Sequence, residues 1–589
     1  MRSPLAPLLA ALPLLAGCSE KPPPPSPKPG PATYLPPAAA TEPPPPPVAY
    51  VDVTKESGVD FVHENGSFGK KLLPETMGPG VVLLDYDGDG RLDLFFTNSR
   101  RWPGHEKEYA SPPARRPTLR LYRNLGDWKF ADVTEEAGLA VECFGMGGAA
   151  ADVDADGDPE LVVTAVGDTL FFRNDGGRFV ECAKEVGLAT PRWKDKDGEE
   201  HPMWGTSAAF LDADRDGNLD LFVCAYVKWS EKTDVFSTLD GTTKAFARPA
   251  LYDGDSCRLY RGLGGGRFED ATEKAGVLNP GGKSLGVALG DVNDDGWTDV
   301  AVANDTQPNF LYVNEQGRFR DGGLAAGIAY DPTGRARAGM GIDLVRLEGE
   351  EGCFLAIGNF SREGLSLYRE ERDLAFVDDA GPARLAQPTL LCLTFGLSFL
   401  DYDLDGRLDL ALANGHIEPT IQKVQNEVSY AEPPQLFWNR GRGQFVDASK
   451  AAGESFSRPL VGRGLAGGDL DGDGDLDLVI TQNGGPAVLF RCDRAGETAA
   501  HRFLKVRLVG KGGNRDALGA VLRATIGGRT EERVVRTGSS FLSQGETAVT
   551  FGLGTAENID RLEVRWPSGE KSTLDAVGAS AKPLVVREE

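Results

Sequence analysis

The chain has 589 residues, a formal net charge of −25, 74 Gly and only five Met. That length accommodates two or more domains, and the absence of any basic stripe or Lys/Arg cluster argues against nucleic acid as a partner. Abundant Gly without long helical periodicity points to a turn-rich, all-β chain.

Met1-Arg2 and the apolar run to Ala16 are too short for a permanent membrane anchor and read as a secretory signal. Leu15-Ala16-Gly17-Cys18 resembles the bacterial lipobox, in which signal peptidase II cuts before the cysteine. The resemblance implies a signal peptide over 1–17, lipidation at Cys18 and, from Ser19, an outer-membrane destination. An exported, lipid-anchored chain at the cell surface is therefore expected. Residues 18–48 carry Pro runs at 22–25 and 43–47, a polyproline spacer with nothing to bury.

From there to about residue 495 the chain repeats itself. A nine-residue frame, D-x-[DN]-x-D-G-x-x-[DE], starts at Asp85, Asp152, Asp212, Asp291, Asp401 and Asp469. The six windows hold 26 acidic residues and three Arg, so almost all of the −25 is local to them. Oxygens at positions 1, 3, 5 and 9 surround one point, and Gly at position 6 permits a sharp turn. Such loops suit a hard cation of calcium's size, which takes about six to eight oxygen ligands. The expected side-chain ligands are Asp85, Asp87, Asp89 and Asp93; Asp152, Asp154, Asp156 and Glu160; Asp212, Asp214, Asp216 and Asp220; Asp291, Asn293, Asp295 and Asp299; Asp401, Asp403, Asp405 and Asp409; and Asp469, Asp471, Asp473 and Asp477. Position 7, expected to give a backbone carbonyl, is Arg91, Asp158, Asn218, Trp297, Arg407 or Asp475. Close to six calcium ions are thus expected. An EF-hand is excluded, since its closing acid stands at position 12 on a helix, whereas these loops exit through short strand-like runs such as Leu92–Thr97.

A second phrase follows most loops: Leu121-Tyr122-Arg123-Asn124, then Phe130-Ala131-Asp132-Val133-Thr134. It recurs over Leu170–Leu188, Leu259–Val277, Leu311–Ile328 and, less cleanly, Leu436–Gly453. Each unit therefore reads as strand, loop, strand, hairpin strand and outer strand, the content of a propeller blade. The gap of 110 residues between the loops at Asp291 and Asp401 holds a degenerate unit, Gly339–Asp343 and Leu355–Phe360, whose Leu344–Gly352 connection lacks the ligand frame. Seven blades are expected, the fifth without its ion. The last unit lacks an Asp-Val-Thr phrase, but Asp52-Val53-Thr54 supplies one at the front, so the N-terminal strand should complete the seventh blade.

These loops and the Leu-Tyr-Arg-Asn phrase resemble the FG-GAP/VCBS repeats of the integrin α-subunit propeller, over residues 49–495. Phe61–Gly66 and Leu73–Gly78 look like the bacterial relatives of cartilage acidic protein. Within 500–586, five strand-like runs separated by turns read as a small β-sandwich beside the propeller. Leu518-Gly519-Ala520, Ser543-Gln544, Phe551–Gly554 and Val564–Gly569 are similar to the ASPIC/UnbV domain. The overall reading is all-β, a seven-bladed β-propeller with calcium loops followed by a small C-terminal β-sandwich-like domain.

Beyond Cys18 there are seven cysteines: Cys143, Cys182, Cys224, Cys257, Cys353, Cys392 and Cys492. In an exported chain they can pair, and Cys224 with Cys257, then Cys353 with Cys392, are the expected bonds. No C-x-x-C, nucleophile elbow or spaced histidine cluster argues for catalysis. His63 reads as a turn histidine, while His201 and His416 are scattered. The expectation is therefore a surface-anchored module that binds a protein or glycan and is not an enzyme. Its insertions at 100–117, 191–202 and 228–256 should decorate one rim, with Trp193, Trp204 and Trp229 placed for a ligand or for packing. The alternative is a carbohydrate-active enzyme using the propeller cavity.

Overall fold

Apolar runs such as Val81–Leu84 and Leu94–Phe96 are buried along their whole length, as expected of strands covered on both faces. The computed structural model describes residues 43–350 and 352–589. The chain divides into the units Met1–Pro44 and Pro45–Glu589, and the second is described here; the signal segment and Cys18 lie outside the described residues. Among those residues no helix is long and apolar enough to cross a membrane.

Seven four-stranded antiparallel sheets follow one another, each starting with an innermost strand: Val81–Leu84, Gly145–Ala151, Gly205–Leu211, Ser284–Gly290, Gly339–Val345, Thr394–Leu400 and Gly462–Gly468. These seven strands neighbour one another in order, and the last neighbours the first. The arrangement is a β-propeller. The seventh sheet has only three strands from its own stretch; its fourth is Val48–Asp52, which pairs with Val488–Arg494 so that Tyr50 faces Cys492.

Threonines stitch neighbours together near the axis. Thr97 Oγ1 accepts the Gly80 N–H (2.8 Å) and donates to Met146 O of the next sheet (2.6 Å). Thr481 repeats the arrangement across the closure, accepting from Gly464 N–H (2.9 Å) and donating to Pro79 O (2.6 Å). Cys224 holds the corresponding place in the third sheet, with its thiol 3.9 Å from Gly286 O.

After the ring come two sheets. One orders Val549–Gly554, Arg502–Val509 and Ser580–Arg587; the other orders Arg529–Val534, Val521–Ile526, Asn558–Arg565 and Lys571–Gly578. Leu504, Val506, Leu522, Phe551, Leu562, Val564 and Trp566 form their common core. The last two strands exceed the sequence reading, because Lys571–Gly578 is mostly exposed and carries little apolar alternation.

The expectation of a sandwich beside the propeller needs correction: this domain reaches into the ring's axis. Residues 535–548 leave the sandwich and touch every innermost strand. Ser543 Oγ accepts from Val81 N–H (3.1 Å), Gln544 Oε1 from Ala150 N–H (2.9 Å), and Thr537 Oγ1 from Phe210 N–H (2.8 Å). Ser540 exchanges two backbone hydrogen bonds with Ile342, and its Oγ accepts from Leu397 N–H (3.3 Å). Glu546 N–H donates to Gly467 O (3.0 Å), and Gly538 lies against Leu289 of the fourth sheet. Phe541 and Leu542, both fully buried, pack among Phe144, Met146, Leu285, Met340 and Phe395. Small residues on the inner strands make room: a Cβ on Gly80 would lie 1.8 Å from Leu542 O.

Candidate functional site

Five of the six acidic loops fold alike. The position-9 acid is the first residue of the exit strand and pairs with the residue before position 1, as in Leu84↔Asp93 and Ala151↔Glu160. Position 6 is Gly at positive φ in all six loops, and position 4 is also left-handed even where it is Ala155, Arg215, Asp294 or Leu404. That second left-handed residue was not legible from the frame, in which position 4 is free.

The position-9 carboxylates are anchored on both oxygens. Asp93 accepts N–H groups from Tyr86 (3.1 Å) and Asn124 (2.7 Å); Asp220 accepts from Ala213 (2.7 Å) and Gly262 (2.7 Å); Asp477 accepts from Leu470 (2.9 Å) and Cys492 (2.9 Å). Glu160, Asp299 and Asp409 follow the same rule. Position 9 thus does more than close a ligand shell: it pins the loop to the hairpin strand. Burial pushes these acids up, Asp93 and Asp299 to about 7 and Glu160 to about 8.

The asparagine of the Leu-Tyr-Arg-Asn phrase ties loop to loop. Asn174 Nδ2 donates to Pro159 O in its own loop (3.2 Å) and to Tyr86 O in the preceding one (2.9 Å). Asn314 does the same with Thr298 O (3.0 Å) and Ala213 O (2.9 Å). The arginine beside it reaches the loop acids: Arg123 Nε lies 2.7 Å from Asp87, and Arg261 lies 2.6 Å from Asp214 and 2.7 Å from Asp216.

At position 1 the two carboxylate oxygens divide. Oδ2 accepts the N–H of the position-6 Gly in Asp85 (2.9 Å), Asp152 (3.0 Å), Asp212 (3.1 Å) and Asp291 (2.9 Å). Oδ1 of all four is buried without a hydrogen-bond partner, as is Oδ1 of Asp87. Ligand oxygens of Asp85, Asp87 and Asp93 lie within 4.8 Å of one another, as do those of Asp152, Asp154 and Asp156, of Asp212, Asp214 and Asp216, and of Asp401, Asp403 and Asp409. Buried carboxylate oxygens left unpaired are strongly unfavourable, so these residues fit a hard divalent cation, which takes oxygen ligands alone. At position 7 the side chains turn elsewhere. Arg91 and Arg407 pair with the position-5 carboxylates Asp89 and Asp405, Asn218 Nδ2 donates to Asp216 (2.9 Å), Asp158 accepts from Gly176 N–H (2.9 Å), and Trp297 lies under Arg215, 4.4 Å from ring to guanidinium. Asn293 Nδ2 donates to Asp295 (2.9 Å), and Asp154 and Asp156 are joined by a backbone N–H (3.2 Å). The fifth sheet lacks the acids, and its Asp343 is paired with Arg536.

The C-terminal domain sits on this same end. Lys505 contacts Asp469, Arg565 contacts Asp291 (2.8 Å), and Arg515 approaches Asp152 (3.8 Å). A chamber of about 560 Å³ between the domains is lined by Asp85, Asp152, Asp469, Lys505, Arg507 and Asp516.

The insertions occupy the opposite end, where the second strand of each sheet turns back. They form a lid: Trp102 stacks on Phe144 (4.5 Å) and contacts Trp229 (5.5 Å), which meets Trp204 (5.9 Å). His105 Nε2 reaches Glu231 at 2.6 Å, and Lys232 pairs with Glu199. Trp204 and Trp229 are buried, so they pack rather than face a ligand, and Trp193 rests on His201 (4.7 Å).

The histidines share no hydrogen-bond partner. His63 Nδ1 accepts from Gly484 N–H (3.1 Å), which places its proton on Nε2 beside Ser99 Oγ (3.2 Å); burial lowers it to about 3. His416 Nδ1 accepts from Glu418 N–H (3.0 Å), and His201 Nε2 contacts Asp195 (3.0 Å). The expected disulfides are not formed: all seven described cysteines are free thiols. Extending the pairing Val223↔Arg258 sets Cys224 opposite Cys257, and the Cys257 thiol lies 3.2 Å from Ser284 Oγ.

The repeat geometry now meets two family matches. FG-GAP-like repeats match residues 85–163, 152–223, 231–302 and 401–480, and the ASPIC and UnbV family matches 510–589. The chain carries FG-GAP-like repeats and ends in an ASPIC/UnbV domain. The plugging segment 535–548 therefore belongs to the ASPIC/UnbV domain. Cartilage acidic protein 1 of Homo sapiens is 23% identical over 514 residues, covering 84% of this chain and 70% of that protein. The Xenopus tropicalis protein of that name is 24% identical, with 84% and 71% covered. Among solved structures, an Agrocybe aegerita lectin described as recognising non-reducing terminal N-acetylglucosamine has a TM-score of 0.34 at 17% identity, over 63% of this chain and 79% of that one. An exotype rhamnogalacturonan lyase has a TM-score of 0.35 at 13% identity, over 75% of each chain. One neighbour binds sugar and the other is a lyase, and at these scores neither speaks for this chain.

Proposed function

We propose that this protein is a calcium-loaded, lipid-anchored module at the cell surface that binds a protein or glycan with its insertion end. Calcium is the natural occupant of the all-oxygen loops, and its role is to neutralise carboxylates that would otherwise repel one another across a few ångströms. Cys18 would carry the lipid and the proline tract would hold the head away from the membrane.

The observation that carries the binding role is the unequal use of the two ends. The loop end and the axis are covered by the ASPIC/UnbV domain, and that filling removes the vestibule an enzyme of the central cavity would need. The insertion end is left bare, and on the 228–256 insertion Phe236, Leu239 and Leu251 are 62%, 51% and 49% exposed. Apolar side chains offered to water on one ordered segment favour a protein partner over a purely polar one.

The test is binding of the purified full chain to panels of extracellular proteins and glycans, with and without chelator, beside Phe236→Asp. A calcium-dependent ligand lost in Phe236→Asp is expected. Turnover of any member of a polysaccharide panel would replace this reading with the enzymatic one.

A further inference from the structure

We infer that Lys505 of the ASPIC/UnbV domain takes the cation's place in the Asp469 loop of the seventh sheet (hereafter the seventh loop), so that this loop holds no metal ion while the domain is docked. The inference rests on the calcium reading and refines it.

The repeated loops supply an internal control. In the first four, position 1 gives Oδ2 to the position-6 N–H and keeps Oδ1 unpartnered. In the Asp401 loop both oxygens are taken, but by backbone alone: Oδ2 accepts from Gly406 N–H (2.8 Å) and Oδ1 from Asp405 N–H (3.0 Å), so what sets the Asp469 loop apart is the cation on position 1 together with the displaced backbone bond. In the seventh, neither oxygen of Asp469 is left over. Oδ1 accepts the Gly472 N–H at 2.8 Å, from position 4 rather than position 6, and Oδ2 lies 2.7 Å from Lys505 Nζ. The fourth loop shows that a nearby cation alone is not enough: Arg565 reaches Asp291 Oδ2 at 2.8 Å, yet Asp291 Oδ1 stays unpartnered.

Two further acids of this loop also have partners within the protein. Asp471 Oδ2 accepts the Trp128 indole N–H at 2.6 Å, and Asp475 is paired with Arg494. Lys505 itself is only 7% exposed and also contacts Glu546 at 2.9 Å, while Glu546 Oε2 accepts the Asp469 N–H at 3.1 Å. A divalent ion sharing Asp469 with a buried ammonium would sit within a few ångströms of it in a medium that screens poorly, and the repulsion would exceed that of any surface pair. The ammonium fastens the domain to the ring with the carboxylates that elsewhere await an ion.

The experiment is calcium equilibrium dialysis of the full chain, with bound ions counted by elemental analysis in the native sequence, Asp212→Asn, Asp469→Asn and Lys505→Met. Asp212→Asn should bind one ion fewer, Asp469→Asn the same number, and Lys505→Met one more. Terbium emission sensitised by the neighbouring Trp128 should appear in Lys505→Met and vanish on adding Trp128→Phe. Should Lys505→Met fail to fold, Asp469→Asn against Asp212→Asn still decides. Loss of one ion in Asp469→Asn, or Trp128-dependent emission from the native sequence, would overturn the assignment while leaving calcium binding intact. No bound ion in any variant would overturn both.

Discussion

Asn124 Nδ2 donates to Leu470 O at 2.8 Å, joining the first acidic loop to the last across 346 positions of sequence. The same amide group donates to Leu92 O at 2.9 Å, so one buried side chain satisfies two loop carbonyls and closes the ring where the chain's two ends meet. Asn439 is its counterpart in the sixth sheet, and its Nδ2 donates to its own loop, at Leu408 O (3.0 Å).

Asn124→Ala should therefore destabilise more than Asn439→Ala. Leaving a buried carbonyl unsatisfied costs about 1–3 kcal/mol, and Asn124→Ala orphans two. Thermal melts of both variants check this; equal losses would mean that the closure bond contributes nothing beyond the local one.

Gly80→Ala places a methyl group 1.8 Å from Leu542 O in the axis. Either the inner strand or the 535–548 segment must shift, and overpacking of this kind costs about 1–3 kcal/mol. A lowered melting temperature is expected, because the nearest obstacle is a backbone carbonyl that no change of the Leu542 side chain removes. No destabilisation in Gly80→Ala would show that the axis is looser than described.

Removing calcium should lower the melting temperature substantially, because the unpaired carboxylates of the loops are then left without a counter-charge. Differential scanning calorimetry before and after chelator measures it, and unchanged melting would deny the ions a structural role.

Glu75 is 1% exposed with both carboxylate oxygens unpartnered, and burial pushes it up to about 7. Its folded pKa stands above the unfolded value near 4.5, so its stabilising contribution is present below about pH 4.5 and lost as pH rises through 7. Glu75→Gln, which cannot ionise, should match the native sequence near pH 4.5 and exceed it by up to about 3 kcal/mol at pH 8. Parallel pH–stability curves would refute the assignment.

Much of the fold could be read in advance because its determinants are local. The loop frame places its acids and its glycine within nine residues, short apolar runs mark the flanking strands, and the displaced Asp52-Val53-Thr54 phrase betrays the strand that completes the seventh sheet. The site was legible to the same depth: which residues crowd together follows from their spacing. What the frame did not reveal is how each acid is used, since position 9 spends both oxygens on backbone N–H groups supplied by another strand.

The sequence by itself determined the repeat, the acidic loops and the all-β class, because these rest on contacts between residues close along the chain. The tertiary structure decided that the ASPIC/UnbV domain fills the axis with Phe541 and Leu542, that Asn124 closes the ring, and that Lys505 meets Asp469. Those partners lie tens to hundreds of residues apart, and nothing in a side chain's own neighbourhood says which distant carbonyl or carboxylate the folded backbone will bring to it.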